Sequence, residues 1–256
     1  MRRLLCPVCT AVLLLATPTS FAAPDAGPTA PPPALPRVAP QPQSQSQVQD
    51  AGTLPPGDPP IAPERLAEAR ALVPPPLLYG QLQPVVGNWV EYTFRSKQGT
   101  FPVRASVVGE TRREHDTLFQ VELDYQSSPR VLIIVWVSRA GTARPLVERL
   151  AVSMPSSTPI SIPVDLLADH AALRGVPVRQ RDTELKTGPF AGKGREQTFR
   201  LESGQTMTVV TSAKVPVFGV ESLHDPESTW SAVRAGTGAR PALGSVPLAL
   251  PRLPGP

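Results

Sequence analysis

The dominant period along residues 77–240 is two. Val90, Tyr92 and Phe94 alternate with Glu91, Thr93 and Arg95, and Phe101, Val103, Ala105 and Val107 with Pro102, Arg104 and Ser106. Phe119, Val121, Leu123 and Tyr125 alternate with Gln120, Glu122 and Asp124. Such alternation predicts antiparallel strands with one apolar and one wetted face. Turn-forming residues separate them: Ser96-Lys97-Gln98-Gly99, Ser127-Ser128-Pro129 and Arg139-Ala140-Gly141-Thr142. Ser203-Gly204, between REQTFRLES and QTMTVVTS, predicts a tight hairpin. One strand departs from alternation: VLIIVWV, Val131 to Val137, is apolar on both faces and must be covered on both. The sheet's own curvature or a helix would cover it, and PVDLLADHAALRG, 163–175, is the best helix candidate. Pro163 suits a first turn, Asp165 the positive N-terminal end, and Gly175 the terminus. The pattern therefore predicts a mainly β (α+β) fold. Its core would be a strongly curved antiparallel sheet or half-open β-barrel, with one or two short helices.

The ends read differently. Arg2 and Arg3 precede an apolar run through Ala16, and Ser20-Phe21-Ala22 offers small residues for cleavage after Ala22. Residues 1–22 are expected to be a secretory signal peptide, and the run is too short for a membrane span. Residues 23–76 are rich in proline, alanine and glutamine and have no apolar period, so a disordered proline-rich linker is expected. Within it PERLAEARALV, 63–73, has helix signals: Pro63 at the first position, Glu64 in the first turn and Pro74 beyond the end. Residues 241–256, ALGSVPLALPRLPGP after Pro241, are expected to be a flexible proline-rich tail.

Composition narrows the chemistry. The only cysteines, Cys6 and Cys9, lie within the expected signal, so no disulfide, cysteine nucleophile or zinc pair is expected in the exported protein. The net charge is +4, and Arg2 and Arg3 account for two of these charges, so nothing suggests a nucleic-acid footprint. His115 lies in a charged turn, His170 near a helix C-terminus and His224 in an Asp-Pro turn, none with metal-site spacing. There is no G-x-S-x-G elbow, and Gly192-Lys193-Gly194 lacks the rest of a phosphate loop. Glu122 with Asp124 reads as strand surface. No enzymatic activity, metal or cofactor is expected, and no transmembrane span after signal removal.

Two strings carry a resemblance: Gly87-Asn88-Trp89-Val90-Glu91-Tyr92, which starts the sheet, and QTMTVVTSAKVPVFGVESLHD, whose strand breaks at a valine-proline and then a glycine. Over Val86 to Gly238 the chain resembles exported bacterial β-sheet proteins akin to the periplasmic lipoprotein carriers and their outer-membrane acceptors. That resemblance implies eight to eleven strands forming a half-open barrel that binds acyl chains. The long proline linker and the lack of a helix-rich lid depart from it. In this frame TSAKVPVFGV is a bulge or strand crossing, because Pro216 donates no ladder bond and Gly219 relieves the backbone. Lys214 would face solvent. Trp136, Val215, Val217 and Phe218 would line the hollow as the ligand-binding residues. Two functions are expected: a non-catalytic carrier for an apolar ligand, such as lipid or a lipoprotein acyl chain, or an envelope protein-interaction module whose barrel is filled. The place of action is the periplasm or the extracellular space.

Overall fold

Alternation becomes strand wherever the turns permit. A computed structural model describes residue 58 and residues 60–155 and 157–250, all within the unit Leu54–Pro256. The expected signal peptide, most of the linker and residues 251–256 lie outside the described residues. The strands are β1 (Trp89–Ser96), β2 (Gly99–Arg112), β3 (Thr117–Tyr125), β4 (Val131–Arg139), β5 (Leu146–Ser153) and β6 (Ile160–Leu167). They continue with β7 (Val176–Leu185), β8 (Gly192–Arg200), β9 (Thr206–Thr211), β10 (Val220–His224), β11 (Ser228–Gly236) and β12 (Leu248–Ala249). Three short helices join them: α1 (Pro63–Leu72), α2 (Pro75–Tyr79) and α3 (Ala171–Arg174). The fold is mainly β.

All twelve strands form one sheet, in the order β12-β6-β5-β4-β3-β2-β1-β11-β10-β9-β8-β7. It is two meanders joined where β1 pairs with β11, antiparallel throughout except for the β12–β6 pair. The sheet does not close, because β12 and β7 each pair on one side only. No helix among the described residues is long and apolar enough to cross a membrane.

One face carries the main core. Val90, Tyr92, Val103, Val121, Leu123 and Leu223 project into it from the strands, and Leu66, Ala69, Val73, Leu77, Leu78 and Tyr79 from the helical segment. Tyr92 and Trp230 meet edge to face at a centroid distance of 5.8 Å, the favoured geometry for an aromatic pair. The ordered fold thus begins before residue 77: α1 and the first two residues of α2, assigned to the linker by composition, belong to the same packed unit as the sheet. Proline starts both helices, and Pro74 separates them. Arginines then clip this segment to the sheet. Arg65 donates to Val164 O at 2.5 Å, Arg70 to Ala172 O, and Arg174 to Leu78 O and Gly80 O. Gly80 must be glycine, since a Cβ there would collide with the carbonyl oxygens of Phe218 and Pro76.

The helix expected over 163–175 does not form. Its first half is strand β6, and only Ala171–Arg174 turn helically. ISIPVDLL alternates, and that period wins over the helix signals. Pro163 is tolerated because the β5–β6 register shifts beside its partner Arg149, and because β12 pairs only with Ile160 and Ser161. The two-sided strand β4 is covered differently. Ile133, Val135 and Val137 face the main core, while Ile134 and Trp136 join Ala151, Leu118, Leu132 and Leu243 on the opposite face. Leu243 belongs to the expected flexible tail. The tail's described residues instead cross the sheet's second face and form β12. Its anchor is Glu122, which accepts hydrogen bonds from Ala242 N at 2.7 Å and Leu243 N at 3.4 Å. Glu122 is consequently buried beneath this strap and is not strand surface, whereas Asp124 stays near the rim, paired with Arg130 at 2.7 Å.

Candidate functional site

The stretch 211–220 forms the connection between β9 and β10, and it folds inward. Ser212 N donates to Gly219 O, and Val215 N to Ser212 O. Phe218 N donates to Pro216 O at 2.9 Å, closing a three-residue turn around Val217, whose φ is 69°. A positive φ at a β-branched residue in such a turn is rare and strained, costing on the order of 1–3 kcal/mol. The surroundings hold it there. The Val217 side chain is wholly enclosed, its carbonyl accepts from Gln83 N at 2.7 Å, and the Phe218 carbonyl accepts from Gln81 N at 2.7 Å. The segment after α2 thus bridges onto the turn as a small antiparallel bridge, Gln83 with Val217. Pro216, which has no N–H to place, sits where none is needed.

Three of the four expected ligand residues therefore lie inside the core. Val215, Val217 and Phe218 have no exposed surface, so they do not form the mouth of a hollow. The fourth, Trp136, lies on the other face of the sheet, under Leu243 and with the Arg149 guanidinium 4.1 Å from its ring centre. The four residues do not converge. Valines flanking a proline read as rim because prolines favour edges; the structure shows a plug, and the physical reason is the 0% exposure forced by α2 on one side and β10 on the other. Lys214 is exposed as expected and folds back to donate to Ala191 O.

Two cavities open beside the plug. One, of about 830 Å³, is lined by residues of β7, β8 and the 211–213 stretch together with Gln81 and Gln83. No leucine, valine, methionine or aromatic side chain is among its lining residues. The other, of about 620 Å³, shares Gln81, Gln83, Arg195 and Thr211 with the first and also includes Arg139, Arg144, Arg174 and Asp169. Arg144 is held by two carboxylates, Asp169 at 2.7 Å and Asp58 through a fork of two bonds. The same Asp58 accepts from Ala171 N at 2.7 Å. The Arg144 guanidinium first, and this backbone N–H second, hold the Asp58 carboxyl well below the ordinary carboxylate range.

The histidines do not gather into a catalytic group. His115 is exposed. His170 is buried and caps the N-terminus of α3, not a helix C-terminus, with Nδ1 accepting from Ala172 N at 3.1 Å. His224 Nδ1 lies 2.9 Å from Thr229 Oγ1 across the β10–β11 hairpin. The neighbouring Asp225 is committed to the turn, accepting from Glu227 N, Ser228 N and Ser228 Oγ. Among the described residues no group of three or more His, Cys, Asp or Glu side chains could hold a metal ion.

A further feature is the free edge. Strand β7 pairs with β8 alone, and seven consecutive residues, Val176 to Asp182, are exposed. Its strand partner is a neighbour in sequence, so alternation alone gave no sign that it would end the sheet. No protein-family model matches this chain, and no curated protein matches it in sequence.

Proposed function

We propose that the chain is an exported, non-catalytic interaction module of the cell envelope: a curved, half-open sheet filled by its own helices and plug, which meets a protein partner along edge strand β7. The observation that carries this reading is the zero exposure of Val215, Val217 and Phe218 beneath α2. An acyl chain would need a largely apolar hollow, and here that volume is occupied by Leu77, Leu78, Tyr79 and the plug. Entry of a lipid or lipoprotein acyl chain would require the α1–α2 segment to leave.

Edge β7 suits strand addition, in which main-chain bonds supply affinity and alternate side chains supply selectivity. Pro177 and the charged residues Arg179, Arg181, Asp182 and Glu184 guard it against indiscriminate pairing. They favour a partner strand with a complementary charge pattern. Export rests on the basic-then-apolar residues 1–22.

The test has two arms. The exported protein is purified from its native envelope, extracted with organic solvent and examined by mass spectrometry; it is expected to carry no stoichiometric lipid. A photo-crosslinking residue at Gln180 is expected to yield one discrete protein adduct that Arg179→Pro abolishes, while the same probe at Ser203 yields none. A lipid without a phosphate monoester, or a lipoprotein acyl chain, bound at one per chain would return the function to an apolar carrier.

A further inference from the structure

The cavity of about 620 Å³ is walled by four arginines against one aspartate. Each guanidinium can be followed to its partners. Arg144 is neutralised by Asp58 and Asp169. Arg195 lies 3.5 Å from Asp182, whose side chain is 89% exposed, a pair that solvent screens. Arg139 and Arg174 reach no carboxylate among the described residues. Arg139 Nη1 donates to Leu82 O at 2.9 Å, while its Nε is buried with no hydrogen-bond partner. Arg174 donates to the carbonyls of Leu78 and Gly80. Burial pulls the Arg174 guanidinium below its ordinary pKa, and the nearby charges of Asp169 and Asp58, both engaged by Arg144, offset that only in part. Carbonyl dipoles satisfy donors but do not cancel charge. Two cations in a partly desolvated cavity are therefore left without an ion pair of their own, the nearby Asp169 being taken up by Arg144.

We propose that this cavity binds a phosphate monoester, its dianionic phosphoryl group held by Arg139, Arg174 and Arg195 and its polar remainder facing Gln81, Gln197 and Thr211. Planar guanidinium forks match paired phosphate oxygens. A dianion answers both uncompensated charges, where a single carboxylate would leave one. The volume exceeds that of a bare ion and leaves room for the esterified group. The phosphoryl group belongs either to a soluble metabolite or to the headgroup of a phosphatidic-acid-type lipid at a membrane surface. Neither source requires the partner at β7.

Calorimetric titration of the full exported chain distinguishes these sources. The probes are glycerol phosphate, with glycerol and sodium chloride of equal ionic strength as controls, and vesicles of phosphatidylcholine with or without phosphatidic acid. Saturable binding in the first arm identifies a soluble ester, and binding only to the phosphatidic-acid vesicles identifies the lipid headgroup. In either case Arg195→Gln is expected to weaken binding about tenfold or more, the loss of one charge-assisted contact. Arg112→Gln, which removes an exposed charge elsewhere, is expected to change it by less than about twofold. Arg139→Gln is expected to match Arg195→Gln. Should Arg139→Gln fail to fold, Arg195→Gln still decides the matter, since the Arg195 side chain bonds no backbone carbonyl among the described residues. Binding no greater than in the ionic-strength controls in both arms overturns the proposal, as does an equal loss in Arg112→Gln and Arg195→Gln.

Discussion

Replacing Phe218 by alanine removes a ring with no exposed surface from between α2 and the sheet. Truncation of a buried phenylalanine costs about 3–5 kcal/mol. The expected outcome is a lower urea midpoint with an unchanged slope; a variant as stable as the parent would mean the ring lines a hollow after all. Asp58 supports a second expectation. Its pKa is depressed in the folded state by Arg144 and Ala171 N–H, so its contribution is complete above the unfolded carboxylate range, about pH 4, and is lost as pH falls below it. Thermal melts of the parent and Asp58→Asn from pH 7 to pH 3 should therefore show a gap that narrows on acidification; a constant gap would remove the linkage. Neither residue declares its role in sequence. Phe218 sits between a proline and a glycine, a context that signals a turn and leaves open whether the turn points in or out. Asp58 stands in a proline-rich run, and its partner Arg144 is 86 positions away.

At the level of elements, alternation located β1, β2 and β3 and the turns between them, because each strand presents an apolar face to the main core and a polar face away from it, even where that second face is covered, as at Glu91, Ser106 and Glu122. It failed where an element's surroundings came from a distant part of the chain. The helix signals of 163–175 were real but local, and pairing of β6 with β5 outweighed them. The apolar second face of β4 was a legible demand for cover, yet the cover came from Leu243, in a segment whose prolines and glycines read as tail. Glu122 was hidden by the same cause, since its two backbone partners lie about 120 positions along. Glu122→Ala would leave the amides of Ala242 and Leu243 without their acceptor, a loss of about 1–3 kcal/mol that falls on the strap. Limited proteolysis of this variant is expected to cut near Gly244 at least several-fold faster than in the parent, with the β-sheet circular dichroism retained. Cleavage at parental rates would show that β12 and the Leu243 contact hold the strap by themselves.

For the molecule as a whole, the decisive question is where the foldable unit begins. Composition places its start near Leu77, because proline-rich chains bury little; the core places it earlier, because Leu66, Ala69 and Val73 are packed beneath the sheet with at most 8% of their surface exposed. The prolines here do not loosen the chain. They start α1 and α2 and fix the corner between them, so a linker composition yields a rigid cover. Burying those three side chains is worth about 1–3 kcal/mol each, with alanine at the low end. Arg65 and Arg70 add hydrogen bonds to the backbone of β6 and α3. A domain stability of about 5–15 kcal/mol does not tolerate losing the whole set. A chain of residues 77–240, which also lacks the Leu243 strap, is accordingly expected to be insoluble or to bind a hydrophobic dye without a cooperative melt. A chain of residues 58–250 is expected to melt in one transition, and restoring 58–76 alone should recover most of the difference, since α1 seals the larger of the two apolar clusters. If residues 77–240 instead fold cooperatively and take up lipid, the helical cover is dispensable, the face beneath it is a ligand surface, and the carrier function regains its ground.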